Sequence, residues 1–242
     1  MKCRFLACVS ALALPLVSAT GQASAAVPNT VDGRRLRPGS DTLAIYLIRG
    51  SDTVRTGTVI DRLWVDGARL NRVYSSMDQV LGNRLDTIVS RLTDLRPISY
   101  RSRSSRLAAQ LVFDRDTVMG WLRLVSGDSV AVRVPLAGIV YDAASFDLVA
   151  RASDLRDDLR LAVASFLVGS NTVGSLEGRV DGSADVDGRA CWVFKAVFGG
   201  LPVSFWIDKE TRALRRQVMQ LGVDTSVLFA VPRAATSPKR AT

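Results

Sequence analysis

The segment from Arg189 to Gln220 constrains the fold of this chain more than any other stretch. Short runs of β-branched and aromatic residues alternate there with turn residues, a pattern typical of consecutive antiparallel strands. The Gly199-Gly200 pair supplies the positive φ angles of a two-residue hairpin. Three of the eight phenylalanines and two of the four tryptophans fall in this segment, so we expect it to supply much of the core. The predicted strands are Cys191–Phe198, Val203–Ile207 and Ala213–Met219, with a polar turn at Asp208–Thr211.

The same alternation of apolar runs and turn signals, such as Asp66-Gly67, begins at Asp41. Close spacing of short strands favours a sandwich or barrel. The segment from Ala143 to Arg156 has apolar residues at helical spacing, Leu159–Val168 could extend that helix or form a strand, and Gly169–Gly178 is predicted to be a loop. The predicted fold is mainly β: a strongly curved antiparallel sheet, a half-barrel or open barrel of roughly ten strands, with one short central helix.

The N-terminus predicts export. Lys2 and Arg4 precede an uncharged, mostly apolar run from Phe5 to Ala19, and Ala23-Ser24-Ala25 matches the small-residue cleavage pattern of a signal peptide. The apolar run is shorter than the roughly 20 residues that a membrane-spanning helix needs. We therefore expect a periplasmic or extracellular protein with no transmembrane span in the mature chain.

The composition of successive segments indicates how the chain is organised. The predicted organisation is a signal peptide at residues 1–25, a flexible arm at 26–40, one β domain at 41–225 and a disordered basic tail at 226–242. Cys3 and Cys8 leave with the signal peptide, so Cys191 has no disulfide partner. A small buried side chain is the expected role of that thiol.

The chain contains no histidine, which removes the Ser-His-Asp and Cys-His catalytic arrangements and most zinc sites. No phosphate-binding glycine loop or calcium loop is present either. We therefore expect a protein that is not an enzyme and has no cofactor or metal. The 32 Lys and Arg against 23 Asp and Glu give a net charge of +9, which favours anionic partners in the cell envelope. Nucleic acid is not expected for an exported chain.

Two groups of residues are candidate binding residues. An open barrel has a concave apolar face, and the four tryptophans, Trp64, Trp121, Trp192 and Trp206, are predicted to line it. The densest basic stretch includes Arg96, Arg101 and Arg103, which are predicted to contact anionic lipid headgroups. The alternatives are tryptophans that simply fill a core and arginines that form a solvated face.

Three short passages carry a family resemblance: Leu95–Tyr100 (LRPISY), Phe146–Val149, and Val203–Asp208 followed by Thr211, Leu214 and Arg216. They resemble an uncharacterised bacterial exported family, a DUF3108-like domain of unknown function, over roughly residues 41–220. The resemblance implies a curved antiparallel sheet wrapped around a helix, related in shape to periplasmic lipoprotein carriers of the LolA and LolB type. It implies no catalytic residues.

Two functional hypotheses follow. The first is a non-catalytic envelope protein that binds a lipid or a lipoprotein acyl group in its concave apolar face. The second is a structural or protein-interaction module whose barrel is filled by its own side chains. Lipid, lipoprotein and other envelope proteins are the expected partners.

Overall fold

The computed structural model describes residues 30–80, 82–124 and 127–232. The predicted signal peptide lies outside these residues. Within them, fifteen strands form one sheet, with one α-helix and two 3-10 turns, so the predicted mainly β fold with one short helix is confirmed. The strands are β1 Gly39–Arg49, β2 Asp52–Asp66, β3 Arg69–Asp78, β4 Arg84–Arg91, β5 Pro97–Ser104, β6 Leu107–Phe113, β7 Thr117–Leu124, β8 Ser129–Pro135, β9 Val140–Asp142, β10 Arg160–Leu167, β11 Thr172–Val186, β12 Arg189–Phe198, β13 Leu201–Asp208, β14 Leu214–Gln220 and β15 Thr225–Ala230; the helix α1 is Phe146–Ala152, and the 3-10 turns are Gly33–Arg35 and Ala143–Ser145.

The sheet consists of two meanders that meet at its centre. Its strand order is β8-β7-β6-β5-β4-β3-β2-β1-β15-β14-β13-β12-β11-β10-β9, and all neighbours are antiparallel except β9 and β10. The second half of the first strand pairs with the whole of the last strand, from Ala44 opposite Ala230 to Arg49 opposite Thr225. The sheet is not closed into a barrel, because β8 and β9 end the order as its two edges.

Tight hairpins connect most strands, and their turn residues explain the register. Gly199 and Gly200 have φ angles of 57° and 83°, and Asp187 and Gly188 have 52° and 75°. Two consecutive positive φ angles match the right-handed twist of the flanking strands, which is why these dipeptides serve as two-residue turns. The predicted hairpin at Gly199-Gly200 is confirmed, with Phe198 opposite Leu201.

The larger part of the core lies between α1 and the sheet. Phe146, Val149 and Ala150 of α1 are no more than 1% exposed. They belong to one apolar cluster with side chains from β1 to β3 and from β10 to β15. The rings of Phe146 and Phe194 on β12 are 6.1 Å apart. The sheet therefore curves around the helix, and its concave side is the side that α1 occupies.

A second apolar cluster shows that the sheet folds over itself. It joins side chains of β4 to β8 to the buried Phe166 of β10. The rings of Phe113 and Phe166 meet edge to face with centroids 6.1 Å apart. The strand β9 also lies against β5. The second half of the chain therefore covers the inner face of β4 to β8 through this second cluster.

Several predicted boundaries were wrong. The segment Gly169–Gly178 is not a loop, since β11 begins within it, and the strand count exceeds the predicted ten. The described part of the predicted arm is ordered by packing, with Leu36 3% exposed. The strand β15 lies almost entirely within the predicted tail, which began at residue 226. In each case burial against the sheet outweighs a local composition that is typical of loops.

Candidate functional site

The concave apolar face is occupied by the protein's own helix. All of α1 except Asp147 is buried, including the charged Arg151. Two clefts of the described residues, with volumes of about 360 and 260 Å³, are lined mainly by charged and polar groups and open at the ends of strands. The apolar face predicted to hold an acyl chain is thus filled by side chains of α1.

A buried charge cluster fixes α1 to the sheet. Arg72 of β3 is bidentate to Asp61 of β2, with N–O distances of 2.8 and 2.9 Å, and bidentate to Asp147 of α1, with distances of 2.7 and 3.0 Å. Arg151 lies 3.8 Å from Asp61 and 3.6 Å from Asp147. Two guanidinium groups therefore offset two carboxylates in the interior, as buried charges require.

The electrostatics of this cluster stabilise the charged forms of Asp147 and Arg72. Burial alone would raise the pKa of Asp147, but the guanidiniums of Arg72 and Arg151 outweigh it and hold the pKa below its usual value. Burial likewise opposes the charge of Arg72, and the two aspartates raise its pKa well above the usual value. Asp147 and Arg72 therefore keep their charges near neutral pH and do not exchange protons. We interpret the cluster as structural: its ion pairs hold α1 against the sheet.

A second buried polar group lies where β9 meets β4 and β5. Asp142 accepts a hydrogen bond from the backbone N–H of Ala144 at 3.1 Å, at the start of the turn before α1. Burial, and to a lesser extent the nearby Asp86 carboxylate, raises the pKa of Asp142 to about 7. Arg84 pairs with Asp86 at 2.6 Å and donates to the Tyr100 hydroxyl at 3.3 Å. Asp142 is 1% exposed and does not line either of the two clefts.

The structure does not bring the four tryptophans together, so their predicted common face is wrong. Trp64 and Trp121 are 40% and 38% exposed, and the residues next to them that point into the core are Leu63 and Leu122. Trp206 lies opposite Val193 on the convex face, because the adjacent pair of Phe194 and Phe205 is buried. Trp192 packs at the rim of the core, with Lys209 Nζ 3.7 Å from its ring centroid. Side chains alternate between the two faces of a strand, but the sequence did not show which of these faces lies on the concave side of the sheet.

The predicted headgroup arginines divide into two places. Arg101 and Arg103 are exposed on the convex side of β5, two residues apart and therefore on one face. Arg96 lies in the turn before β5 and pairs with Asp94 at 3.3 Å. Its Cα is up to about 16 Å along the chain from that of Arg101 at the rise of an extended strand. The structure thus joins two of the three arginines on one surface.

Neighbouring strands enlarge that surface. The register places Arg101 in line with Gln110, Trp121 and Ala131, Arg103 in line with Ala108, Arg123 and Ser129, and Ser99 in line with Val112, Met119 and Arg133. We call these outward positions of β5 to β8 the convex arginine face. It has four exposed arginines and no acidic residue, and none of the four forms an ion pair within the described residues.

Sequence reasoning missed Arg123 and Arg133 of this face, and also the buried charge cluster. The two arginines lie on β7 and β8, outside the densest basic stretch, and only the strand register places them beside Arg101. The strand alternation Leu70, Arg72, Tyr74 offered a signal for the cluster, since it puts a charged residue on an inward face.

Comparisons with known proteins do not assign the chain to a family. No family model matches the chain, and no curated protein matches it. Among solved structures, a β-barrel-like protein of a domain of unknown function, DUF1849, from Brucella abortus is 12% identical, with a TM-score of 0.49, over 79% of this chain and 95% of its own. None of these findings supports the resemblance to the DUF3108-like family or to lipoprotein carriers. The fold described above rests on this chain's own strands and register.

Proposed function

We propose that this protein is a non-catalytic, exported protein of the cell envelope that contacts an anionic membrane surface through its convex arginine face. The filled interior favours the hypothesis of a protein without a small apolar ligand, since α1 occupies the space that an acyl chain would need. The N-terminal sequence supports export to the periplasm or the exterior.

The observation that carries the proposal is the composition of the convex arginine face. Four arginines surround Trp121, which is 38% exposed, and Val112, which is 49% exposed. Arginine near an anionic surface contributes about 1 kcal/mol per residue, and an indole ring partitions well into the headgroup region. Four such charges give an attraction on the order of 4 kcal/mol, which is enough for reversible, salt-sensitive binding.

The geometry fits peripheral contact. The face belongs to four adjacent strands at one end of the sheet, and the opposite side of those strands holds the second apolar cluster. In the described residues no helix has the length and hydropathy that a membrane crossing requires. The proposal therefore places the sheet against the membrane surface, with the arginines at the level of the headgroups.

Vesicle flotation tests the proposal. Wild-type protein should float with vesicles containing phosphatidylglycerol and not with pure phosphatidylcholine, and the bound fraction should fall as salt rises. The variant Arg101→Glu/Arg103→Glu should lose most of this binding. The matched control Arg62→Glu/Arg160→Glu makes the same change of charge at exposed positions on β2 and β10, outside the face, and should bind nearly as well as the wild type.

Two results would overturn the proposal. One is wild-type protein that ignores phosphatidylglycerol, and the other is an equal loss in both double variants, which would mean that net charge alone governs the binding. A variant Trp121→Ser separates the aromatic contribution. It should weaken binding severalfold and leave the salt dependence unchanged, because it removes no charge.

A further inference from the structure

A polar cleft of about 360 Å³ lies far from the convex arginine face in the strand order. It forms where the chain enters β1 and where β12, β13 and β14 meet the last turn of α1. Its charged lining consists of Arg37, Arg151, Arg189, Arg215, Asp41 and Asp208. We call it the arginine cleft. Its volume falls at the lower end of the range of about 300–1,000 Å³ that is usual for small-molecule sites.

Arg151 reaches the cleft from the interior. Its side chain is only 2% exposed. Its Nε donates to the carbonyl oxygen of Arg212 at 2.7 Å, which fixes the direction of the guanidinium. Its Nη1 is buried and faces the carboxylates of Asp147 and Asp61, which lie 3.6 and 3.8 Å away as ion-pair partners. Arg151 therefore adds positive charge to the inner wall of the cleft, while its Nη1 belongs to the buried charge cluster.

Arg215 supplies an unused donor to the cleft. Its Nε is buried and lacks a hydrogen-bond acceptor within the described part of the chain. A buried donor without an acceptor is costly, so this wall of the cleft is a surface that an anion would stabilise.

The acidic residues of the cleft do not supply the missing acceptor. The Asp208 Oδ1 accepts the backbone N–H groups of Glu210 and Thr211 at 3.0 and 2.8 Å, which commits this oxygen to the turn after β13. Arg189 pairs at 3.5 Å with Glu210, whose side chain is 82% exposed. An exposed pair of this kind is weak and is easily exchanged for a stronger ligand.

We propose that the arginine cleft binds the phosphate group of a small, hydroxyl-bearing molecule. Arg215 offers its unused N–H donor to the phosphate oxygens, Arg151 adds positive charge from the inner wall, and Arg189 leaves Glu210 to complete the neutralisation. Guanidinium groups suit this role because their paired donors match phosphate oxygens. The volume of the cleft exceeds the needs of a lone phosphate, and Asp41 and Thr211 line the remaining space as acceptors for hydroxyl groups.

Calorimetric titration with inorganic phosphate and with glycerol 3-phosphate tests the proposal at constant ionic strength, with chloride as the reference anion. Glycerol 3-phosphate should bind more tightly than phosphate, and glycerol should not bind. The variant Arg189→Gln/Arg215→Gln should weaken glycerol 3-phosphate binding at least about tenfold, because it removes charge-assisted hydrogen bonds. The control Arg62→Gln/Arg160→Gln removes the same charge at exposed positions outside both the arginine cleft and the convex arginine face, and it should leave that affinity unchanged.

The source of the phosphate is distinguished with vesicles. If the ligand is a free metabolite, the cleft variant should still float with phosphatidylglycerol vesicles and lose only the soluble ligand. A parallel loss of vesicle binding would assign the cleft to a lipid headgroup and keep the phosphate chemistry. Two results would overturn the site. One is wild-type protein that binds no soluble phosphate while the cleft variant floats as well as the wild type, and the other is equal affinity for glycerol 3-phosphate in the cleft variant and its control.

Discussion

Replacing Arg72 by Met should destabilise this protein more than almost any other single change, and the structure gives the size of the effect. The guanidinium is 4% exposed and makes four short bonds to Asp61 and Asp147. Methionine keeps most of the side-chain volume and removes the charge, so both carboxylates stay buried with Arg151 as their only close cation among the described residues. Removing one partner of a buried ion pair costs about 3–5 kcal/mol.

The pH dependence gives this prediction its sharpest test. In the wild type the pKa of Asp147 is below its usual value, so its contribution to stability is present above about pH 4 and is lost as the pH falls through the folded-state pKa. Without Arg72, burial dominates and the folded-state pKa of Asp147 rises above the unfolded value. The stability of the variant should then rise more steeply than that of the wild type as the pH falls below about 7, where Asp142 already gives the wild type a smaller rise.

Thermal unfolding followed by circular dichroism at several pH values measures both effects. A loss of 3–5 kcal/mol corresponds to a midpoint lowered by roughly 6–20 °C in a domain of this size. The control Arg62→Met, on the exposed side of β2, should change stability by about 0.5 kcal/mol or less. The double variant Arg72→Met/Asp147→Asn should regain part of the loss. A stability loss below about 1 kcal/mol, or a dependence of stability on pH with the wild-type slope, would refute the interpretation that this cluster holds α1 against the sheet.

Three further changes test other parts of the interior. Phe146→Ala should cost about 3–5 kcal/mol in urea titrations, because the ring is 1% exposed at the centre of the larger core; a near-neutral result would mean that α1 does not fill the sheet. Asp142→Asn should raise the unfolding midpoint at pH 8 and flatten the stability profile between about pH 4 and 7, since the folded-state pKa of about 7 makes the wild type lose stability as the pH rises through that window. Gly120→Ala should destabilise strongly, because a Cβ at its φ of 148° would collide with the carbonyl oxygen of Gln110, whereas Gly169→Ala, with open space around it, should be nearly neutral.

The local signals of the sequence predicted the hairpins well and the length of the strands poorly. Gly199-Gly200 and Asp187-Gly188 require positive φ, and a dipeptide with that property has few uses other than a turn. A glycine inside a strand does not indicate a turn. Gly174 and Gly178 of β11 suggested a loop, yet their missing Cβ atoms make room for Leu167 and for the ring of Phe194. That reason is visible only when the packing is known.

The candidate sites were less predictable because they depend on which strands become neighbours. The densest basic stretch drew attention to Arg101 and Arg103, but Arg123 and Arg133 join them only through the register of β5 to β8. The arginine cleft combines residues from opposite ends of the chain, such as Arg37 and Arg215. No local sequence pattern predicts that these residues lie close together, because their proximity follows from the pairing of β1 with β15.

That central pairing also shapes how the chain can fold. Every other antiparallel neighbour in the sheet follows directly in sequence, whereas β1 must wait for β15, almost the whole domain later. Closing so long a loop slows folding, because its entropy is lost before the contacts form. A circular permutant that connects β15 to β1 and opens the chain between Pro135 and Val140 would place all neighbouring strands in consecutive order. Its contact order would fall, and it should reach the same native sheet faster than the natural chain.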